Sequence, residues 1–125
     1  MEGTNYNRLV AQVLGAVLVL VGLLGFVNDP VLGLFDVNPL HNAVHLLSGA
    51  LLLAAAFMDH GRNARLANMV LGAVYLVVAA GTWIPGLNDA FALNVPDAGL
   101  HALLGIVLLG VAFGMKGETR VPRAV

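Results

Sequence analysis

The chain has 125 residues, of which 59% are apolar and 10% are charged. Soluble domains carry about 25% charged residues, because a surface in contact with water needs them. The composition therefore excludes an ordinary water-soluble domain, and the net charge of −1 offers no basic surface to nucleic acid. The absence of cysteine excludes disulfides and thiolate metal sites.

Four long stretches contain no Asp, Glu, Lys or Arg, and they predict an all-α bundle of four transmembrane helices. About 20 helical residues cross a hydrocarbon core of about 30 Å, and none of these stretches has the polar face of a helix in a soluble bundle. We therefore expect one membrane domain, residues 1–125, surrounded by the lipid bilayer. The predicted spans are about 9–27, 40–58, 66–84 and 98–115.

The first and third predicted spans carry small or weakly polar residues on one face. Ala11 and Gly15 lie one turn apart in the first span, and Asn68 and Gly72 lie one turn apart in the third. Small residues let helix backbones approach closely in a membrane. We interpret these faces as helix-packing surfaces.

The second predicted span begins with a strong signal for a helix start, and two histidines follow it. Asn38 is a preferred N-cap residue, and Pro39 suits the first helical position. His41 and His45 are four residues apart and share a helix face; His41, nearer the interface, is expected to be solvated. Gly49 lies one turn deeper on that face, where its missing side chain leaves room for another helix or for a flat macrocycle.

The fourth predicted span repeats part of this pattern. Asn94 and Asp97 stand at its start, His101 lies at the depth of His45, and Gly105 follows four residues later. Ionisable groups inside a membrane are costly and are functional candidates by default. His45 and His101 are therefore the leading candidate site residues.

These matches belong to an internal repeat. Arg8-Leu9 recurs 57 positions later as Arg65-Leu66, and Asn38, His45 and Gly49 recur 56 positions later as Asn94, His101 and Gly105. The Asn, His and Gly matches are specific, since these residue types are scarce in spans. The sequence predicts two tandem two-helix repeats, about 8–58 and 65–115, related by a pseudo-two-fold axis along the membrane normal.

The basic residues predict the orientation. Loops 28–38 and 85–97 have no Lys or Arg, and all six basic residues lie in the two tails and the middle loop: Arg8, Arg62, Arg65, Lys116, Arg120 and Arg123. Short loops rich in Lys and Arg stay in the cytoplasm. We therefore expect both termini on the inside of the cytoplasmic (plasma) membrane.

One interpretation of the histidines is that they carry a proton, and there are three others. In the commonest, neutral His45 and His101 hydrogen-bond to groups such as Ser48 and hold neighbouring helices together. In the second, they are axial ligands of haem or (bacterio)chlorophyll, and Gly49 and Gly105 are the close-approach positions. In the third, zinc or copper is bound by His41, His45, Asp97 and His101.

The segment from Asn38 to Gly49, with its Asn-Pro start, Asn42 and His45, is distinctive. It resembles the small four-helix membrane proteins grouped as domain of unknown function 4383. The resemblance extends from Arg8 to about Phe113. It implies a four-helix membrane fold with an Asn-Pro, Asn, His pattern in both halves, and it implies no particular activity.

The second half departs from the pattern of that family. Val95 stands where a proline would follow Asn94, and Ala98 replaces the counterpart of Asn42. This departure argues against a symmetric site that needs both Asn side chains, but not against one that needs only His45 and His101.

Few functions are compatible with this sequence. No predicted span contains a carboxylate or a set of acid, base and nucleophile, so we expect no enzyme activity. The leading hypothesis is an accessory or packing subunit of a membrane assembly, or a homo-oligomer, whose partners are other membrane proteins or copies of itself. The first alternative is a haem- or chlorin-binding protein that uses His45 and His101, and the second is a small transporter or channel.

Overall fold

The computed structural model describes residues 4–115, and this part of the chain folds into five α-helices and one 3₁₀ turn. Lys116, Arg120 and Arg123 lie outside the described residues. The helices are α1 (Tyr6–Gly25), α2 (Pro39–Phe57), α3 (Ala64–Gly81), α4 (Pro85–Phe91) and α5 (Val95–Gly114), and the 3₁₀ turn is Met58–Gly61.

Four of the helices, α1, α2, α3 and α5, are long and apolar enough to cross a membrane. This confirms the prediction of an all-helical protein with four such helices. Between residues 4 and 115 there is no β-strand, only an isolated bridge between Val31 and Phe35. The length and apolar character of these helices indicate a membrane-embedded protein.

The short helix α4 lies in a segment that the hydropathy pattern predicts as a loop. The Asn88 side-chain amide donates to the carbonyl oxygens of Thr82 and Leu93, both at 2.8 Å, and so ties the end of α3 to the start of α5. Helix α5 begins at Val95, three residues before its predicted start, because Asn94 caps it.

Glycine pairs bring the long helices together as two hairpins, α1 with α2 and α3 with α5. A Cβ atom on Gly49 would lie 2.7 Å from the Gly15 carbonyl oxygen, and one on Gly105 would lie 2.9 Å from the Gly72 carbonyl oxygen. Both distances are shorter than a carbon–oxygen contact allows. Glycine is therefore what permits the backbones to approach this closely.

Arginine side chains close each hairpin at the end where α1 and α3 begin. Arg8 Nε donates to the Ala56 carbonyl oxygen at 2.8 Å, and Arg65 Nε donates to the Ala112 carbonyl oxygen at 2.7 Å. The last carbonyls of a helix lack partners within the helix, and a cationic donor stabilises them.

Asparagine side chains join the two hairpins at this same end. The Asn68 amide donates to the backbone oxygen of Asn7 at 3.0 Å and to its side-chain oxygen at 3.1 Å. The Asn7 amide in turn donates to the Met115 carbonyl oxygen at 3.2 Å.

A reciprocal pair of hydrogen bonds joins the hairpins at the opposite end. The Asn38 amide donates to the Ala90 carbonyl oxygen, and the Asn94 amide donates to the Leu34 carbonyl oxygen, both at 2.8 Å. Each capping asparagine thus also holds the loop of the other hairpin. The first turns of α2 and α5 are fixed side by side as a result.

Candidate functional site

The first two histidines are positioned by the capped start of α2. The Asn38 side-chain oxygen accepts a hydrogen bond from the His41 backbone N–H at 2.8 Å, and Pro39 occupies the first turn. This cap fixes His41 in the first turn of the helix, and His45 follows one turn later on the same face.

The third histidine is positioned by a capping box at the start of α5. The Asn94 side-chain oxygen accepts from the Asp97 N–H at 2.9 Å, and the Asp97 carboxylate accepts from the Asn94 N–H at 3.0 Å. His101 follows one turn after Asp97. The carboxylate of Asp97, a candidate metal ligand, therefore serves as a helix cap.

His41, His45 and His101 form one compact group, which we call the histidine cluster. The ring centroids are 4.5 Å apart for His41 and His45, 5.4 Å for His41 and His101, and 5.9 Å for His45 and His101. One potential metal-ligating atom from each residue lies within 4.8 Å of the other two. Asp97 is not part of this group.

The cluster is buried and poorly hydrogen-bonded. The three side chains are 1–4% exposed. Both nitrogens of His41 and the Nδ1 atoms of His45 and His101 have no hydrogen-bond partner among residues 4–115, although the Phe91 backbone lies near His41. An unpaired buried polar group costs several kcal/mol in an apolar medium (~2–7), so such groups point to a bound water, ion or ligand.

The expectation that His41 is solvated is wrong. It assumes that the start of α2 faces the water layer, but Phe91 of α4 and Leu93 line the same cavity as His41. Because α4 is not evident from the hydropathy pattern, the burial of His41 is not evident from it either.

Tyr75 of α3 is a member of the site that the sequence reasoning missed. Its ring centroid lies 5.6 Å from that of His101 and 6.5 Å from that of His45. Its hydroxyl is 2.6 Å from the Ser48 hydroxyl, which also donates to the Val44 carbonyl oxygen at 2.7 Å. The available signal was a lone tyrosine in the middle of a span, whose hydroxyl needs a polar partner.

A cavity of about 280 Å³ adjoins the cluster. The residues that line it include the three histidines, Ser48, Tyr75, Phe91 and Leu93 together with apolar residues of α2 and α3, and the lining surface is almost entirely apolar. The cavity lies between the two hairpins, where α2 and α3 face each other.

The other candidate residues do not line this cavity. Gly49 and Gly105 lie in the helix contacts within each hairpin, where a Cβ would meet Val19 and Leu76. The Asn42 side chain packs against Gly25 of α1. These residues support the helix packing that positions the histidines.

The family model described as "Domain of unknown function (DUF4383)" matches residues 8–114. The chain belongs to this family. The match includes the histidine cluster, Tyr75 and nearly all of the four long helices of this DUF4383 protein. No curated protein and no solved structure gives a significant match.

The cluster of this DUF4383 protein does not fit a haem or chlorin held between His45 and His101. A macrocycle ligated axially by both residues would lie between the two rings, but the His41 ring occupies that space, with its centroid 4.5 Å from that of His45 and 5.4 Å from that of His101. The cavity of about 280 Å³ is also at the lower limit for small-molecule pockets, roughly 300–1,000 Å³.

Proposed function

We propose that this protein binds a transition-metal ion inside the membrane through His41, His45 and His101. One observation carries the proposal: three buried imidazoles from two helices place potential ligand atoms within 4.8 Å of one another. Neutral imidazole is the commonest metal ligand among side chains and suits zinc and copper. A bound ion also gives a partner to nitrogens that otherwise have none.

The spacing of the ligand atoms is compatible with a metal ion after a small adjustment. Three atoms at the limit of 4.8 Å have a common centre about 2.8 Å from each of them, whereas a zinc–imidazole bond is about 2.0–2.1 Å long. Each nitrogen must therefore move inward by about 0.7 Å, which rotation about the soft χ2 torsion of histidine supplies.

Three imidazoles leave one position of a tetrahedral ion open. The acidic candidate, Asp97, is engaged in the cap of α5. Zinc sites with three protein ligands keep the fourth position for water or another small ligand.

Metal content tests the proposal. The protein, purified in detergent and dialysed against micromolar zinc or copper, is analysed for metals as wild type, His45→Ala, His101→Ala and His60→Asn. We expect about one ion per chain in the wild type and in His60→Asn, the control, because His60 is exposed in the middle loop. We expect less than about a tenth of this content in the cluster variants.

A second measurement distinguishes the loss of a metal site from the loss of the fold. Circular dichroism and gel filtration establish that each variant is folded and monodisperse. A folded wild-type protein that holds no more metal than a variant lacking all three cluster histidines would refute the proposed site.

We also propose that the fold consists of two tandem repeats, about 8–58 and 65–115. Contacts at equivalent positions of the two halves support it. Arg8 with Ala56 corresponds to Arg65 with Ala112, and Asn38 with Ala90 corresponds to Asn94 with Leu34.

The orientation with both termini in the cytoplasm is likewise a proposal. Its support is the position of the arginines at the end of the bundle where α1 and α3 begin, and of the capping asparagines at the other end. The positive-inside rule assigns the arginine end to the cytoplasm.

The remaining hypotheses stay predictions. A role as an accessory subunit or homo-oligomer is compatible with a metal site, as is the absence of enzymatic activity. Neither follows from the geometry of the cluster, and association is treated below as a measurable property.

A further inference from the structure

The two halves of the chain contribute unequally to the histidine cluster. A shift of 56 positions maps His45 onto His101, but it maps His41 onto Asp97. The Asp97 carboxylate accepts from the Asn94 backbone N–H at 3.0 Å and so completes the cap of α5. The second half therefore contributes one imidazole to the cluster, whereas the first half contributes two.

Within residues 4–115, the group of potential ligand atoms at the cluster has three members. All three are imidazole nitrogens, and none is a carboxylate oxygen. The Tyr75 hydroxyl lies 2.6 Å from that of Ser48, which donates to the Val44 carbonyl oxygen at 2.7 Å, so these two hydroxyls are engaged in hydrogen bonds. This part of the chain thus offers an ion three neutral nitrogen donors and no anionic one.

Water is poorly placed to complete the coordination of an ion at the cluster. The three side chains are 1–4% exposed, and the surface that lines the adjoining cavity is almost entirely apolar. A buried water needs about two to four polar partners, which such a surface does not supply. An ion at this site is therefore left with the three imidazoles.

The number of ligands distinguishes the two metals that were considered for these imidazoles. Zinc in proteins is almost always four-coordinate, and its sites with three protein ligands are completed by water or substrate. Monovalent copper, Cu(I), is stable with three nitrogen ligands that lie with it in one plane. Geometry and ligand type, rather than raw affinity, select among such metals in proteins. A buried site of three imidazoles thus favours Cu(I).

The electrostatics of the site favour the same ion. No acidic group belongs to the cluster, so neutral imidazoles leave the charge of a bound ion uncompensated. The cost of moving an ion out of water rises with the square of its charge, and it is about four times greater for a divalent ion than for a monovalent ion of the same size. Neutral ligands in an apolar bundle are therefore better suited to a monovalent ion.

We propose that the histidine cluster binds Cu(I) in preference to Zn(II), with the ion in the plane of three imidazole nitrogens. This inference rests on the metal site proposed above, and it adds the identity and the coordination number of the ion. It requires no fourth ligand and leaves Asp97 in the cap of α5.

Competition with coloured chelators measures the preference. Detergent-purified protein is titrated under argon with the Cu(I) complex of bicinchoninate in the presence of ascorbate, and separately with the Zn(II) complex of pyridylazoresorcinol. We expect about one Cu(I) per chain and a dissociation constant at least about 100-fold lower for Cu(I) than for Zn(II). X-ray absorption of the Cu(I)-loaded protein should show about three nitrogen neighbours and no fourth ligand.

Two variants of His41 test the role of the absent negative charge. His41→Glu adds a carboxylate ligand, whereas His41→Gln is its neutral match of the same length. We expect both to weaken Cu(I) binding at least about 10-fold, because each leaves two imidazoles. Zn(II) should bind to His41→Glu at least about 10-fold more tightly than to His41→Gln, since a carboxylate both binds zinc and offsets its charge. His60→Asn, in the exposed middle loop, should keep the wild-type preference.

The outcomes separate this inference from the site on which it rests. If the folded wild type binds Zn(II) as tightly as Cu(I), or if the Cu(I)-loaded protein has four ligands, the preference for Cu(I) is refuted and the metal site stands. If the folded wild type binds neither ion, the metal site is refuted, and the preference falls with it. Equal binding of Zn(II) to folded His41→Glu and His41→Gln would contradict the role assigned to charge. The wild-type measurements decide the preference even if a buried glutamate prevents folding.

Discussion

At the scale of single residues, the histidine cluster is unfavourable for folding unless something binds to it. Three imidazoles lie close together inside an apolar bundle, and several of their buried nitrogens lack a hydrogen-bond partner among residues 4–115. Replacing unpaired polar groups by apolar groups of similar shape is often neutral or stabilising. Histidines that pin helices by hydrogen bonds would show the opposite behaviour.

We therefore predict that His45→Leu does not destabilise the metal-free protein. Thermal unfolding in detergent with a chelator should give a melting temperature equal to or above that of the wild type. In excess zinc the order should reverse, because binding at about 100 times Kd stabilises the wild type by about 2.7 kcal/mol and leaves the variant unaffected. A lower melting temperature of His45→Leu in the chelator would favour the helix-pinning interpretation.

Tyr75 and Ser48 allow a second test at this scale. Tyr75→Phe removes the 2.6 Å hydroxyl contact, while Ser48 keeps its hydrogen bond to the Val44 carbonyl. We expect a loss of about 1 kcal/mol in the free energy of unfolding and no change in metal content. Ser48→Ala is the matched variant, and the double variant should lose less than the sum of the two.

At the scale of helices, the hydropathy pattern predicted the elements whose position depends on contact with the hydrocarbon core. Charge-free stretches locate the four long helices, because hydrocarbon admits only helices with internally paired backbones. The pattern did not predict the features that depend on tertiary contacts. Helix α4 is stabilised by the bonds of Asn88 across the loop, and the burial of His41 depends on Phe91, which α4 brings to the cavity.

The candidate site was likewise predictable from the sequence only in part. His45 and His101 stand out as scarce ionisable residues at matching depths, and the structure brings them together with His41. Asn94 lies three positions before Asp97, and this spacing is typical of capping boxes. It therefore indicated that Asp97 is a capping residue. The participation of Tyr75 depends on how α3 packs against the other hairpin, which spacing along the chain does not determine.

The glycines of α5 provide a prediction at the scale of helices. A Cβ on Gly105 would lie 2.7 Å from the Leu76 side chain and 2.9 Å from the Gly72 carbonyl oxygen, whereas one on Gly110 would meet nothing within 4 Å. We expect Gly105→Ala to lower the free energy of unfolding by about 1–3 kcal/mol. Gly110→Ala should have no effect or a stabilising one, since alanine is the better helix former. Denaturation of the two variants by SDS titration makes the comparison, and equal midpoints would contradict the packing role of Gly105.

At the scale of the whole molecule, polar contacts join the two hairpins at both ends. Asn7 and Asn68 link them at the arginine end, and Asn38 and Asn94 link them at the other. Between these ends, α2 and α3 are separated enough to leave the cavity. The candidate site is therefore a property of the interface between hairpins rather than of either hairpin alone.

The exposed surfaces of the long helices also determine how the protein associates. The hypothesis of an accessory subunit or homo-oligomer predicts a particle larger than one chain in blue-native electrophoresis after extraction in mild detergent. Chemical cross-linking in native membranes should capture the same species. A strictly monomeric particle in both experiments would contradict the hypothesis without affecting the metal site.

The orientation in the membrane decides which side of the membrane lies nearer the histidine cluster. The natural chain has no cysteine, so single cysteines report topology without background. Asn63→Cys replaces an exposed residue in the middle loop, and Gly86→Cys lies in α4 with open space around it. We expect a membrane-impermeant maleimide to label Gly86→Cys in intact cells and Asn63→Cys only after permeabilisation. Because the histidine cluster lies at the α4 end of the bundle, this pattern would place the proposed metal site nearer the outer side of the membrane. The reverse pattern would contradict the proposed orientation and place the cluster on the cytoplasmic side.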